Sequence, residues 1–276
     1  MKLKNNVIEM IIDAHMHSDS RPVEDFRDIS MAGIKAVVSC AYDPLEMKQS
    51  NVSFEHFDRI VYREKKRVEQ QNVKLFAAVG VHPRAIPVDY EKVLEEIPTY
   101  MKENHVIAIG EIGLEKIEEK QEEVFIKQLR LADENNYKVI VHTPRTDKRK
   151  VTSRITELLD ENINPKLVQL DHIDFSIIDD VIDKNYSLAI TTQPLKMSVE
   201  DTVEMLDKYG FDKFVLDSDM SYAPSNPMSL ARVNHELKVN SYREDDINKV
   251  MYRNFLKFHK ITLWLFFIFL IILFLF

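Results

Sequence analysis

The chain has 276 residues, 45% of them hydrophobic and 30% charged, with a formal net charge of −8. That balance belongs to a folded globular protein and excludes an intrinsically disordered chain. An acidic surface repels phosphate backbones at long range, which argues against non-specific duplex binding and leaves room for a locally basic pocket. The single cysteine, Cys40, excludes an intrachain disulfide and fits a reducing cytoplasm. Because it falls within an apolar run, it reads as a buried core thiol.

From the start of the chain, basic residues lead into an apolar stretch interrupted at Glu9 and Asp13, too short for a secretory signal. Short apolar runs then recur at Val7–Ile12, Lys35–Ala41, Leu75–Val79, Val106–Ile109, Val139–Val141, Leu167–Leu170, Leu188–Ile190 and Phe214–Leu216. Helix-periodic segments separate them: Phe54–Gln70, Glu91–Lys102, Glu118–Asn135, Thr152–Leu159, Ile177–Lys184, Val199–Tyr209 and Met228–Val239. Eight apolar strands alternating with helices predict parallel βαβ units buried on both faces. The expected fold is a single α/β domain, a (β/α)8 TIM barrel over residues 1–260, with an open doubly wound sheet as the alternative. Arg243–His259 is expected to add one helix after the barrel.

Residues 261–276 form an apolar C-terminal tail, wholly apolar from Trp264 to Phe276. A spanning helix needs about 20 residues, so this run is short by several. Three readings stand: a marginal anchor giving membrane contact, an apolar helix covering a barrel end or a partner, or translated sequence beyond the natural stop. The anchor is favoured.

In such barrels the chemistry sits at the C-terminal ends of the strands. Asp13-Ala14-His15-Met16-His17 follows the first run, and alternation along a strand turns His15 and His17 to one face. Gly80-Val81-His82-Pro83 follows the third run, Gly110-Glu111-Ile112-Gly113 the fourth and His142-Thr143-Pro144-Arg145 the fifth. Asp171-His172 follows the sixth, and Asp217-Ser218-Asp219 the eighth. Five of the nine histidines thus fall just after predicted strands; His56, His105, His235 and His259 do not. Singly, each of these groups reads as a structural residue or a helix cap. Jointly, imidazoles with carboxylates on one rim suit a divalent metal such as zinc, manganese, iron or nickel. The basic run Pro144–Lys150 opposes the dipole at a helix start, and reads either as a solvated loop or as a place where Arg145, with Lys148, meets substrate phosphate.

Together, Asp13-x-His15-x-His17, Gly80-x-His82-Pro83, Gly110-Glu111-Ile112-Gly113-Leu114, His142, His172 and Asp219 resemble the TatD-like metal-dependent hydrolases, which are amidohydrolase-like barrel enzymes. The resemblance runs from about Ile11 to Asp219. Two departures, Asp171-His172-Ile173-Asp174 for His-x-Phe-Ser/Thr-Gly and Asp217-Ser218-Asp219 for Glu-Thr-Asp, make the chain similar to a diverged, archaeal TatD-related branch. The resemblance implies two divalent metal ions, with magnesium added to the candidates. His15, His17 and Asp219 would hold one ion, His142 and His172 the other, and Glu111 would bridge them. It further implies hydrolysis by a metal-activated hydroxide, with Asp219 accepting or relaying the proton, Asp217 holding backbone or a ligating histidine, and His82 either orienting substrate or ligand-supporting groups at the pocket rim or serving a structural role. The expected reaction is phosphodiester hydrolysis on a single-stranded nucleic acid or a smaller substrate, as in the family's deoxyribonucleases. Alternatives are hydrolysis of a carboxylic amide, ester or lactone and, further off, a non-catalytic membrane-associated binding protein.

Overall fold

The computed structural model describes residues 10–41 and 47–262. Eight strands follow one another around a single parallel sheet: β1 (Ile11–Met16), β2 (Ile34–Cys40), β3 (Lys74–Val79), β4 (Val106–Gly113), β5 (Lys138–His142), β6 (Val168–Leu170), β7 (Ser187–Thr191) and β8 (Phe214–Asp217). Every strand pairs in parallel with the next. The fold is the (β/α)8 barrel, and the open-sheet alternative falls.

The seam between β1 and β8 closes at the rim, where the backbone N–H of Asp219 donates to the carbonyl of His15 at 2.9 Å. The N–H of His17 donates to the carbonyl of Met220 at 2.8 Å. The Asp13 carboxylate completes the join by accepting from the N–H and hydroxyl of Ser218.

Around the sheet lie α1 (Val23–Met31), α2 (Ser50–Asp58, running on through a π-helical stretch, Arg59–Glu64, into Lys65–Glu69), α3 (Tyr90–Tyr100) and α4 (Glu119–Asn135). Then come α5 (Lys148–Asn162), the single turn α6 (Ile178–Val181), α7 (Val199–Tyr209) and α8 (Ser229–Val239). The additional helix appears as α9, built from Glu244–Asn248, a π-helical Lys249–Arg253 and Asn254–His259. It packs against β8 and β1, and Asn254 donates to the carbonyls of Phe211 and Phe214 at 2.8 and 2.7 Å. The barrel is filled by a continuous apolar core of Val, Ile, Leu, Phe and Ala. Cys40 lies inside it as a free thiol, pushed up to about 12 by burial.

Several boundaries differ from the sequence expectation. β1 starts later and carries Asp13 and His15 within the strand; residues 7–9 of the expected run lie outside the described residues. β4 continues to Gly113, so Glu111 is a strand residue. Helix α1 was not anticipated, since it buries only Phe26 and Ile29 and leaves too few apolar positions to set a period. The tail reading falls, from residue 263 on, outside the described residues. Among those described, no helix is long and apolar enough to cross a membrane.

One buried polar side chain fastens the outer ring to the rim. Gln128 of α4 is 0% exposed; its Oε1 accepts from the N–H of Val81 at 2.8 Å and its Nε2 donates to the Val81 carbonyl at 3.1 Å. Leucine has a similar volume but leaves both backbone groups buried without partners, at about 1–3 kcal/mol each. Gln128→Leu is therefore expected to lower the unfolding free energy by at least about 2 kcal/mol, read as a lower denaturant midpoint with an unchanged slope.

Candidate metal centre

The strand ends bring five imidazoles around one carboxylate. Glu111 Oε1 lies 2.9 Å from His142 Nδ1 and 3.1 Å from His172 Nε2. Its Oε2 lies 3.4, 3.7 and 3.8 Å from Nε2 of His15, His17 and His82. Asp219 closes the other side, with Oδ1 at 3.1 Å from His17 Nε2 and 3.9 Å from His15 Nε2. The eighth strand thus supplies its carboxylate beside the first strand's histidines, as the seam hydrogen bonds require. His56, His105 and His259 are engaged elsewhere, with Asp19, the Val61 carbonyl and the Phe255 and Phe258 rings, and His235 is exposed.

Local sequence explains the close approach. Gly113 has φ +142°, and a Cβ there would meet the His142 carbonyl oxygen at 2.6 Å. A Cβ on Gly80 would meet the Gly110 backbone nitrogen at 2.9 Å. Glycine at these two positions lets β3, β4 and β5 converge so that Glu111 and His142 meet.

Burial alone would raise the Glu111 carboxyl, but the histidines around it, His15, His142 and His172, hold it well below the usual range. Burial opposes ionisation of Asp219 as well; the Lys196 ammonium and His17 hold it well below its ordinary value. These are carboxylates, and so are competent ligands.

Three compact groups of ligand atoms form: His15 with His17 and Asp219, His15 with Glu111 and His172, and His82 with Glu111 and His142. The first is the set expected for one ion. His142 and His172 fall in different compact groups, yet both rest on the same Glu111 oxygen. The fit to a metal rests on His15 Nε2, which is fully buried, has no hydrogen-bond partner and points between Glu111 and Asp219. A buried nitrogen facing two carboxylates is a donor set that suits a divalent cation.

Four of the imidazoles are tethered through the nitrogen turned away from the centre. His15 Nδ1–H donates to Asp171 at 2.7 Å, and Asp171 is itself held by Gln169. His17 Nδ1–H donates to the Cys40 carbonyl at 3.1 Å. His142 Nε2–H donates to Glu115 at 3.0 Å, and His172 Nδ1 pairs with the Thr191 hydroxyl at 2.8 Å. For His15, His17 and His142 such partners set the tautomer and leave the inward nitrogen as a lone-pair donor, whereas His172 Nδ1 also faces the Lys196 ammonium, which can only donate to it. His82 is set the other way. Its Nδ1 accepts the Arg84 N–H at 3.1 Å, so in the neutral ring that burial favours, the inward Nε2 carries the proton. His82 is thereby a hydrogen-bond donor at the rim.

The structure adds residues that motif reading missed. Asp171 and Glu115 each adjoin a motif, which is the signal that could have marked them. Lys196, in the loop after β7, contacts Asp219 and lies 3.1 Å from His172 Nδ1; nothing in its sequence context marks it. The expectation for Asp217 is corrected: both its carboxylate oxygens are buried without hydrogen-bond partners, and Asp171 holds the histidine instead. Burial, with Asp171 and Asp13 close by, raises Asp217 well above the usual range. Arg145 is exposed and makes no hydrogen bond or ion pair with another described residue, while Lys148 is held by Thr143, Asp174 and the His172 carbonyl.

These two acids separate cleanly by substitution. Asp171→Asn is expected to weaken metal affinity about 10–100-fold, measured by chelator competition, because the His15 tether loses its charge. Asp217, which makes no hydrogen bond to any of the histidines, is expected on substitution by Asn to leave metal affinity within about twofold.

The TatD related DNase family matches residues 12–260. An uncharacterized metal-dependent hydrolase of Methanocaldococcus jannaschii is 34% identical over 253 residues, spanning 91% of this chain and 100% of its own length. The TatD-like protein from Archaeoglobus fulgidus superposes with a TM-score of 0.78 at 31% identity, over 91% of this chain and 100% of that one. The phosphotriesterase homology protein from Escherichia coli shares the fold, with a TM-score of 0.70 at 15% identity over 91% and 99% of the two chains. With the family matched from the first strand to the last helix, this chain belongs to the TatD related DNase family.

Proposed function

We propose that the protein is a divalent-metal-dependent hydrolase and that its substrate is a phosphodiester, presented as a single-stranded nucleic-acid end or a smaller nucleotide. The observation that carries the reading is Glu111, a buried carboxylate in contact range of five imidazoles beside Asp219. That donor set is built to hold divalent cations. Family membership and the metal-dependent hydrolase of Methanocaldococcus jannaschii support the hydrolytic class. The phosphodiester assignment is supported by cationic side chains, Arg145, Lys148 and Lys196, gathered beside His172 in a chain of net charge −8.

In this reading His15, His17 and Asp219 would hold one cation and His142 and His172 a second, with Glu111 available to both. Bound cations supply Lewis acidity, which stabilises charge on the scissile group and makes water a usable nucleophile near neutral pH. The protein's own groups do the rest. Asp219, with Oδ1 facing His17 and Oδ2 facing Lys196, takes up the proton released by the attacking water. His82 Nε2–H donates to a non-bridging oxygen of the phosphodiester under attack, and Arg145, from the rim, reaches a phosphate of the substrate.

Removal of metal by a chelator is expected to abolish activity, and a divalent transition metal to restore it. A panel of short single-stranded DNA, carboxylic esters and lactones tests the substrate class. Cleavage of the DNA is expected, and cleavage confined to the esters or lactones would overturn the phosphodiester assignment. Asp219→Asn is expected to lower kcat about 10²–10⁴-fold. Arg145→Ala is expected to raise KM for the phosphodiester with metal content unchanged; an unaltered KM would remove Arg145 from the substrate contacts.

A further inference from the structure

A cavity of about 230 Å³ opens beside the metal centre, between the loops that follow β5, β6 and β7. Arg145, Lys148 and Lys196 line it, together with Thr143 and the His172 ring. His172 is the wall between the two spaces: its Nε2 faces Glu111, and its Nδ1 faces Lys196 at 3.1 Å. A group seated in the cavity is therefore not the group seated among Glu111, Asp219 and the inward nitrogens.

The cations differ in what they have left to give. Lys148 spends its three donors on Thr143 Oγ1 at 3.1 Å, the His172 carbonyl at 2.6 Å and the Asp174 carboxylate at 3.4 Å. It contributes charge and fixed geometry. Lys196 is engaged with Asp219 and His172, which leaves one of its three N–H groups for a ligand. Arg145 has all five guanidinium donors uncommitted among the described residues. Two carboxylates touch these cations, Asp174 and Asp219, and Asp219 belongs to the metal centre. The cavity thus keeps an excess of positive charge and a forked donor, which suits an anion with several acceptor oxygens.

We propose that this cavity binds a second phosphate of the substrate, adjacent to the phosphodiester at the metal centre. The inference rests on the hydrolase reading above and narrows it: the substrate carries two phosphates in tandem, as a polynucleotide end or a nucleoside bisphosphate does. The metal centre takes one and the cationic cavity the other. Arg145 supplies the donors that discriminate between a substrate with the second phosphate and one without it.

The test is equilibrium titration calorimetry on the metal-loaded full-length protein, with thymidine 5′-phosphate, thymidine 3′-phosphate and thymidine 3′,5′-bisphosphate as probes. The bisphosphate is expected to bind at least about tenfold more tightly than either monophosphate. Arg145→Ala should remove most of that advantage and leave both monophosphates within about twofold, and Lys148→Met should do the same to a lesser degree. Lys150→Ala, an exposed neighbour outside the cavity, serves as the charge control and should leave all three affinities unchanged. Equal affinity for the three probes would overturn the proposal, as would an Arg145→Ala variant that weakens monophosphates and bisphosphate alike. Because the readout is binding, it stays separate from the hydrolytic reading: failure to cleave DNA, with the bisphosphate advantage intact and dependent on Arg145, would remove that reading and support the cavity.

Discussion

A single buried carboxylate organises this molecule. Glu111, 2% exposed, is surrounded by imidazoles from β1, the β3 end, β5 and the β6 end. A carboxylate cannot be taken out of water without compensation. The arrangement makes physical sense when cations complete it. That requirement explains why the strands converge so closely at this rim, and why glycine stands where a Cβ would collide at Gly80 and Gly113. It also explains why the barrel seam is sewn at Asp13, His15, His17 and Ser218–Met220. The hydrogen bonds that close the barrel also place its first-strand histidines beside its last-strand aspartate.

Beneath this centre lies a layer of acids with different tasks. Asp171 fixes the His15 tautomer, Asp13 joins the first strand to the eighth, and burial, with two other acids close by, raises Asp217 well above the usual range. Glu115 performs for His142 what Asp171 performs for His15. The inward-facing nitrogens are therefore selected from the outside of the cluster. His82 stands apart through one backbone hydrogen bond from Arg84, which turns its inward atom into a donor. Ring nitrogens of the same chemical type thus serve different ends according to what each is tethered to.

Most of the fold was legible because buried parallel strands leave uninterrupted apolar runs, and eight such runs alternate with amphipathic helices. Histidines 15, 17, 82, 142 and 172, with Glu111 and Asp219, were legible because barrel chemistry collects where those runs end. What escaped reading had no periodic or motif signal. Helix α1 buries two apolar side chains, too few to betray a period. Lys196 comes from a loop whose sequence resembles any surface turn, and its meaning depends on reaching Asp219 across the rim. Asp171 and Asp217 look alike in sequence, each ending an apolar strand. Only the fold separates them, because Asp171 lies against His15 and Asp217 lies against other acids. The basic run after His142 reads as one cluster, yet the structure divides it: Arg145 and Lys148 border the cavity, while Arg149 turns away to pair with Asp180.

Electron paramagnetic resonance of the protein loaded with manganese(II) asks whether Glu111 lies between two metal positions. Two ions sharing one carboxylate are close enough to couple their spins, so the multiline spectrum of an exchange-coupled pair is expected, collapsing to an uncoupled spectrum in Glu111→Gln. A spectrum of isolated manganese at every loading of the unaltered protein would contradict it.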